Sequence, residues 1–269
     1  MTSLITLTTD FGLRDPFVGI MKGVILSINP EARIVDLTHQ VESFDVVDGM
    51  LALVQSYPYF PPQTIHVVVV DPGVGSERRP ILVVTPAHRF VGPDNGVFSL
   101  VYDREPSSEV RHVTAERYFR KPVSQTFHGR DVFAPVAAWL SKGLAPETFG
   151  GLITDYVRVA VAKPERVSPS VIRGEVLRVD KFGNLITNFR PAHLPQQGSF
   201  RFVVNQNRIT QLVSNYAEGR GNGAIAIVGS TGLVEIAACQ ASAAKVLGAG
   251  KGTEIILEIE GDAAKADLR

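Results

Sequence analysis

A short apolar segment ends on an acidic residue that has an arginine seven positions downstream. Four consecutive valines, residues 67–70, precede Asp71, and a turn-forming Pro-Gly-Val-Gly segment separates Asp71 from Arg78. Such a β-branched run is typical of a strand that is buried on both faces of a parallel sheet. Ligands of open α/β sheets bind at the carboxyl ends of the strands, so Asp71 and Arg78 are predicted to lie at a binding site. An ordinary turn with a solvated Arg78 is the alternative reading, because Asp, Pro and Gly are common turn residues.

A histidine occupies a second predicted loop, immediately before a helix. His128 lies between Phe127 and Gly129, and Asp131 is the predicted N-cap of a helix that has Pro135 in its first turn. Because a helix dipole disfavours positive charge ahead of the N-terminus, we expect His128 to be neutral at pH 7. The pattern fits a functional loop histidine and an exposed one without function equally well.

Strand-like and helix-like segments alternate through the first half of the chain. Strands are predicted at 4–8, 33–37, 64–70, 80–85 and 109–113, helices begin after Asp15 and Asp45, and residues 92–96 are predicted to form a turn. This alternation indicates a parallel sheet with covering helices. Right-handed crossovers would then place Asp10, His39 and Asp71 along one edge of the sheet.

The second half of the chain is rich in short strands. Residues 164–170 form a predicted linker, and strands are predicted at 171–179, 185–189, 200–204, 224–228, 233–236 and 254–259, with one helix at 241–247. The predicted fold class is α/β: an N-terminal Rossmann-like, mostly parallel sheet with covering helices, followed by a smaller C-terminal β-barrel-like domain. The predicted domains are 1–163 and 170–262, and residues from Asp262 onward are expected to be frayed.

Two turns of the second half carry side chains that could bind a ligand. Between two predicted strands, Phe182 offers a stacking face, and Asn184 offers the donor and acceptor needed to read an adenine edge. The Gly-Ser-Thr-Gly turn at 229–232 could present N–H groups and a hydroxyl to a carboxylate. Ordinary hairpin turns explain both segments equally well.

Composition excludes several classes of partner. The 269 residues include 27 Lys and Arg and 27 Asp and Glu, so the net charge favours neither nucleic acid nor an anionic membrane surface. A single cysteine, Cys239, excludes a disulfide framework. We see no signal-peptide pattern and no apolar run near the roughly 20 residues that span a bilayer, and we expect a cytoplasmic protein. No Gly-x-Gly-x-x-Gly follows the first strand, which disfavours a dinucleotide enzyme.

Six short motifs, taken together and in order, resemble one enzyme family. They are Thr-Asp-Phe-Gly at 9–12, Asp-Leu-Thr-His at 36–39, Val-Asp-Pro-Gly-Val-Gly at 70–75, Gly-Pro-Asp-Asn-Gly at 92–96, Phe-His-Gly-Arg-Asp at 127–131 and Asp-Lys-Phe-Gly-Asn at 180–184. The chain resembles the S-adenosylmethionine hydroxide adenosyltransferases and, at greater distance, the bacterial fluorinating and chlorinating enzymes. Each motif alone is weak, but their joint occurrence is specific.

The resemblance implies that S-adenosylmethionine is split into adenosine and L-methionine by a water-derived nucleophile attacking the ribose C5′. It implies catalytic roles for Asp71, Arg78 and His128. It also implies substrate contacts from Asp10 to the ribose hydroxyls, from Phe44 over the ribose, from Phe182 and Asn184 to adenine, and from Asp180 and Ser230 to the methionine end. No cofactor and no metal are expected. The family is trimeric, with the ligand between the N-terminal domain of one subunit and the C-terminal domain of the next.

Three other functions stay open. Asp10, His39, Asp71 and His128 have the ligand types for a metal-dependent hydrolase, although no compact ligand motif supports one. A module that binds adenosine or S-adenosylmethionine without turnover would not need Asp71, Arg78 and His128 together. A halogenase is disfavoured because the halogenating relatives carry Tyr at the place of Asp71 and lack the histidine. Either Asp71 or His128 could accept the proton, since pairing with Arg78 would weaken Asp71 as a base.

Overall fold

The computed structural model describes residues 4–221 and 223–260. The chain divides into two compact units, Met1–Ala160 and Val161–Arg269. The predicted frayed tail from Asp262 and the predicted domain end at 262 lie outside the described residues. None of the described helices combines the length and the apolar character that crossing a bilayer requires.

The first unit is built on a six-stranded sheet in the order β2-β1-β3-β5-β4-β6. Its strands and helices are β1 (Leu4–Thr9), α1 (Phe17–Ile28), β2 (Arg33–Thr38), α2 (Val46–Ser56), β3 (Ile65–Val69), β4 (Pro80–Val84), β5 (Arg89–Pro93), α3 (Ser99–Arg104), β6 (Glu109–His112) and α4 (Ala134–Ser141). β1 pairs in parallel with β2 and β3, and β3 with β5, whereas β4 is antiparallel to β5 and β6. The predicted mostly parallel sheet is confirmed.

The central strand β3 is buried on both faces, as its valine run predicts. Val67 and Val69 pack with Ile5 and Leu7 of β1 in a core that includes residues of α1 and α4. Val68 points into the opposite core, which includes residues of α2 and α3. The loop after β3 is therefore fixed by a strand that cannot shift without disrupting two cores.

Local capping signals were misleading at two of the three predicted helix starts. Asp45 caps α2 as predicted, since its side chain accepts a hydrogen bond from the Asp48 N–H. The N-cap of α1 is Pro16 and no side chain caps it, so the assignment of Asp15 was wrong. Asp131 lies inside a π-helical turn, Gly129–Phe133, and its buried carboxylate pairs with Arg130 instead of capping.

The predicted turn at 92–96 was also partly wrong, because Gly92 and Pro93 end strand β5. A Cβ on Gly92 would meet the Val68 carbonyl oxygen at 2.6 Å and the Phe98 ring at 2.9 Å. Gly92 is thus required by the close approach of a neighbouring strand and an aromatic ring rather than by a reversal of the chain.

The second unit contains a nine-stranded sheet that curls into a half-barrel, as the β-barrel-like prediction anticipates. Its elements are β7 (Glu165–Ser168), β8 (Val171–Val179), β9 (Leu185–Thr187), β10 (Ser199–Val204), β11 (Asn207–Ile209), β12 (Leu212–Val213), β13 (Ala224–Val228), β14 (Val234–Ala238), α5 (Ala243–Leu247) and β15 (Glu254–Glu260). Most of the predicted linker is strand β7, which pairs antiparallel with β8. The core of the second unit includes the fully buried residues Phe189, Phe202 and Leu257.

Candidate active site

An ion pair forms where the chain leaves the central strand. Arg78 donates from Nε to Oδ1 of Asp71 at 2.9 Å, and its Nη2 bonds to Oδ2 of the same carboxylate. Both side chains are buried, with 5% of Asp71 and 8% of Arg78 exposed. The predicted pair is therefore present as a two-pronged, charge-assisted contact away from bulk water.

Arg78 also bridges Asp71 to His128. Its Nη2 lies 2.8 Å from Nδ1 of His128, and its guanidinium lies over the Phe133 ring at 5.2 Å from the centroid. A guanidinium can only donate hydrogen bonds, so Nδ1 of His128 must accept. The neutral imidazole then carries its proton on Nε2.

His128 is held in its neutral form at pH 7. Burial lowers the pKa of His128, and the positive charge of Arg78 lowers it further, while Asp71 and Asp131 oppose these effects. The expected neutrality therefore has physical support. The neutral form is favoured by burial and by Arg78, whereas the sequence predicted it from the helix dipole.

The loop that carries Asp71 and the loop that carries His128 touch at one glycine. A Cβ on Gly75 would meet the backbone oxygen of Gln125 at 2.1 Å, and Gly75 has a φ of +78°. The second loop is anchored by Asp131, whose fully buried carboxylate accepts hydrogen bonds from Ser124 N at 2.9 Å and Arg130 Nε at 2.7 Å. Loop contact and anchor together fix the distance from Arg78 to His128.

A cavity of about 440 Å³ opens beside this cluster. The described residues in its wall include no Lys or Arg, and they do include three aspartates, four phenylalanines and the imidazole: Asp10, Asp15, Asp71, Phe11, Phe17, Phe44, Phe127 and His128. Arg78 is not part of the wall, but it contacts two wall residues, Asp71 and His128. Such a wall suits a ligand with both apolar surface and positive charge.

Asp10 lies close to Asp71 because their strands are neighbours. Thr9 of β1 pairs with Val69 of β3, and each acid follows its strand within two residues. Burial raises the pKa of Asp10, the Phe44 N–H that it accepts at 2.9 Å lowers it, and the charge of Asp71 raises it again. Phe44 has a φ of +67° and is 74% exposed at the cavity.

His39, the third residue predicted at this sheet edge, does not line the cavity. It is buried, with Nδ1 at 2.9 Å from Thr9 Oγ1 and Nε2 at 3.0 Å from Asp36 Oδ1. Among the described residues, no group of three or more His, Cys, Asp or Glu side chains is arranged to hold a metal ion. The metal-dependent alternative thus finds no ligand cluster in this part of the chain.

Nine wall residues were not predicted as site residues, and four of them carry aromatic or acidic side chains: Phe11, Asp15, Phe17 and Phe127. Phe17 is the first residue of α1, and 41% of its surface is exposed. Asp15 was assigned as a cap. For Phe11, Asp15 and Phe17 the available signal was their closeness to Asp10 in the sequence, and for Phe127 it was the neighbouring His128. Loop residues at the functional edge of a sheet often contribute to a binding site.

In the second unit, the loop between β8 and β9 is closed around Asp180. Its carboxylate accepts hydrogen bonds from Phe182 N at 2.9 Å, Asn184 N at 2.8 Å and Asn184 Nδ2 at 2.9 Å. Asn184 is buried, whereas 78% of Phe182 is exposed. The loop therefore presents the Phe182 ring to the outside, and Asp180 and Asn184 hold its shape.

Ser230 lies at the exposed tip of the hairpin between β13 and β14. Gly232 N donates to the Gly229 carbonyl at 2.9 Å, which closes the turn. Below it, a Cβ on Gly229 would meet Glu235 Oε1 at 1.8 Å, so the buried Glu235 fills the place of a side chain at that position. Burial raises the pKa of Glu235, and nearby Asp180 raises it as well.

Comparison with known proteins agrees with the motifs. The model of the SAM hydroxide adenosyltransferase N-terminal domain matches residues 5–150, and the model of the C-terminal domain of the same family matches residues 174–256. The chain belongs to the SAM hydroxide adenosyltransferase family.

Relatives of this adenosyltransferase family member extend over nearly its whole length. It is 36% identical over 261 residues to an (R)-S-adenosyl-L-methionine hydrolase of Methanocaldococcus jannaschii, covering 91% of each chain. A crystal structure of a conserved protein from Thermotoga maritima superimposes with a TM-score of 0.86 at 35% identity, covering 94% of this chain and 99% of that one. A fluorinase of Actinoplanes is more distant, at 26% identity over 72% of this chain and 74% of the fluorinase.

The contact between the loop of Asp71 and the loop of His128 can be tested with a pair of glycine variants. We expect Gly75→Ala to lower the free energy of unfolding by about 2 kcal/mol or more, because the new Cβ forces strain or separates the loops. Gly73→Ala is the matched control, since its Cβ would meet nothing closer than 3.4 Å, and we expect a change within about 1 kcal/mol. Denaturant unfolding measures both, and an equal loss in the two variants would contradict the proposed loop contact.

Proposed function

We propose that this protein hydrolyses S-adenosylmethionine to adenosine and L-methionine. The observation that carries the proposal is the aromatic, carboxylate-lined cavity beside the buried Asp71–Arg78–His128 cluster. The sulfonium centre of this substrate carries a methyl group, a ribosyl arm and an amino-acid arm, and its positive charge and methyl group suit such a wall. The hydrolase relatives are named for the (R) form of the substrate, and we propose the same configuration at sulfur here.

The reaction is a one-step displacement at the ribose C5′. A water oxygen forms a bond to C5′, the C5′–S bond breaks, and its electron pair neutralises the sulfonium. The water gives up one proton. Since the leaving group departs neutral, the barrier depends mainly on placing the water in line with the C5′–S bond and on stripping water from both partners.

The hydrogen-bond pattern favours Asp71 as the proton acceptor. Nδ1 of His128 is occupied by the donor from Arg78, and the proton of the neutral ring is then on Nε2. In that tautomer the imidazole has no free lone pair to take a proton. Asp71 lines the cavity and keeps lone pairs beyond those used by Arg78. We therefore assign the base role to Asp71 and the orienting of the water to His128.

The remaining predicted contacts are proposals of the same kind. Asp10 would hold the ribose hydroxyls by accepting their hydrogen bonds. Phe44, exposed at the cavity, would lie over the ribose. In the second unit, we propose that Phe182 and Asn184 contact adenine and that Asp180 and Ser230 contact the methionine end.

We also propose the assembly that the family resemblance implies. In a homotrimer with the site at the subunit interface, residues 1–163 of one subunit would supply the catalytic groups. The C-terminal domain of the next subunit would supply the adenine and methionine contacts. The exposed ring of Phe182 is compatible with this proposal, because it is accessible to a ligand or to another subunit. Freedom from a cofactor and a cytoplasmic location stay predictions.

The function is tested by incubating chelator-treated protein with each sulfonium epimer of S-adenosylmethionine, with and without chloride. Chromatography should show adenosine and methionine in equal amounts, independent of chloride and faster from the (R) epimer. A chlorinated nucleoside, or ligand binding without any product, would contradict the hydrolase proposal.

The role of Asp71 is tested by Asp71→Asn. We expect turnover to fall by about 10²–10⁴-fold, the usual contribution of a positioned base, while the Kd for adenosine changes less than about twofold. Asp103→Asn is the surface control, because 62% of that side chain is exposed. Steady-state kinetics and calorimetry measure the two quantities, and a parallel loss of turnover and adenosine affinity would remove Asp71 from catalysis.

The protonation of His128 predicts the acid limb of the activity profile. The pKa of His128 is lowered by burial and by Arg78, so the neutral ring persists as pH falls through 6.5, the ordinary imidazole value. We expect kcat/KM to stay level below pH 6.5 and to decline only at more acidic pH. The pH profiles of kcat/KM for the wild type and for His128→Gln show which acid decline belongs to His128. A decline centred at or above pH 6.5 that is absent from His128→Gln would contradict this assignment.

The adenine contact is tested by Phe182→Ala. Loss of stacking should weaken adenosine binding by about 5- to 100-fold, given typical base–aromatic energies. Thermal stability should be unchanged, because 78% of the side chain is exposed. Tyr59→Ala, at an equally open position with 81% exposure, should alter neither. Wild-type affinity in Phe182→Ala would exclude the stacking role.

A further inference from the structure

Three phenylalanines form a compact group on one side of the cavity. The ring centroids are 5.6 Å apart for Phe11 and Phe17, 5.9 Å for Phe11 and Phe127, and 5.3 Å for Phe17 and Phe127. The pairs are tilted or edge-to-face, and all three residues line the cavity. Edge-to-face packing leaves the electron-rich faces of some rings free for another group.

Two of these three rings also pack against the hydrophobic core, and the third does not. Phe11 and Phe127 pack against the core that surrounds β1 and β3. Phe17 is 41% exposed in the first turn of α1 and is absent from the described core clusters. Phe17 therefore packs on two other rings of the cavity wall and keeps part of its surface accessible to a ligand in the cavity.

The charges around the rings favour a cation. Asp10, Asp15 and Asp71 share the cavity wall with them, and no Lys or Arg is found among the described wall residues. Phe127 already accepts one cation, since the Arg130 guanidinium lies 5.2 Å from its centroid. That guanidinium is neutralised by the buried Asp131, so it does not make the cavity positive.

We propose that Phe11, Phe17 and Phe127 bind the sulfonium centre of the substrate and let the enzyme distinguish a sulfonium from a neutral thioether. The inference rests on the proposed function and names residues that the family resemblance did not single out. Sulfonium, like quaternary ammonium, is a bulky and weakly hydrated cation, the kind that aromatic groups bind well.

The consequence for turnover follows from where the charge goes. When the C5′–S bond breaks, its electron pair removes the positive charge from sulfur. The rings therefore bind the cationic substrate more tightly than the neutral thioether of the product. This difference favours release of the product. Because the charge is already falling in the transition state, ring–cation attraction acts mainly on the ground state. Its loss should raise KM without lowering kcat.

The experiment compares two substitutions at Phe17, one that removes the aromatic ring and one that keeps it. Phe17→Leu preserves apolar contact, whereas Phe17→Trp preserves and enlarges the π face. Affinities for S-adenosylmethionine and for S-adenosylhomocysteine, its neutral thioether, are measured by calorimetry in an Asp71→Asn background, which prevents consumption of the substrate. Both ligands carry the same adenosine and amino-acid ends, so their ratio isolates the sulfonium group.

We expect Phe17→Leu to reduce the preference for the sulfonium by about 3- to 30-fold and Phe17→Trp to retain it. In the Asp71 enzyme, Phe17→Leu should raise KM and kcat together by a similar factor and leave kcat/KM nearly unchanged. Equal weakening of both ligands, or loss of preference in Phe17→Trp as well, would overturn the inference.

Two further arms keep the outcome clear. Phe127→Leu, measured in the same way, should reduce the preference too, and an unchanged ratio in both leucine variants would count against the aromatic site. Failure of the proposed function can be told apart from failure of this inference. A wild type that forms no adenosine still yields the ratio of the affinities for S-adenosylmethionine and S-adenosylhomocysteine. A preference for the thioether in that protein would reject both ideas.

Discussion

The buried guanidinium of Arg78 is the contact on which the rest of the site depends. It takes both oxygens of Asp71 and the Nδ1 of His128, and the Phe133 ring covers its face. Removing Asp71 or Arg78 would leave the other charge buried and unpaired, which is costly. The geometry around it is accordingly rigid: a strand buried on both faces leads to Asp71, and Gly75 brings the His128 loop into contact.

This arrangement trades basicity for order. Burial lowers the pKa of His128, and the positive charge of Arg78 lowers it further. A less basic imidazole would be harmful if proton removal by His128 limited the rate. It is tolerable for a substrate whose leaving group departs neutral, because the gain from a fixed water position is large. The cluster therefore suits attack on a cation better than attack on an amide or a phosphate.

Much of this site could be predicted from the sequence, because its residues follow strands whose pattern is clear. The valine run placed Asp71 at the end of a buried strand, and alternation of elements brought Asp10 beside it. The errors occurred where tertiary contacts override local signals. Gly92 is needed for close packing, not for a turn, and Asp131 pairs with arginines inside a π-helical turn. Phe17 fits a helical stripe, and only its exposure separates it from the core.

The electrostatics of the cavity link binding, chemistry and release. Asp10 and Asp15 add negative charge to a wall in which Asp71 is already paired with Arg78, and the phenylalanines make the wall poorly hydrated. Such a wall would attract the proposed cationic substrate and repel hydroxide, an anion. Neutral water, the nucleophile of the proposed reaction, needs an acceptor for its proton, which is the role proposed for Asp71. Once sulfur loses its charge, the attraction that held the substrate disappears with it.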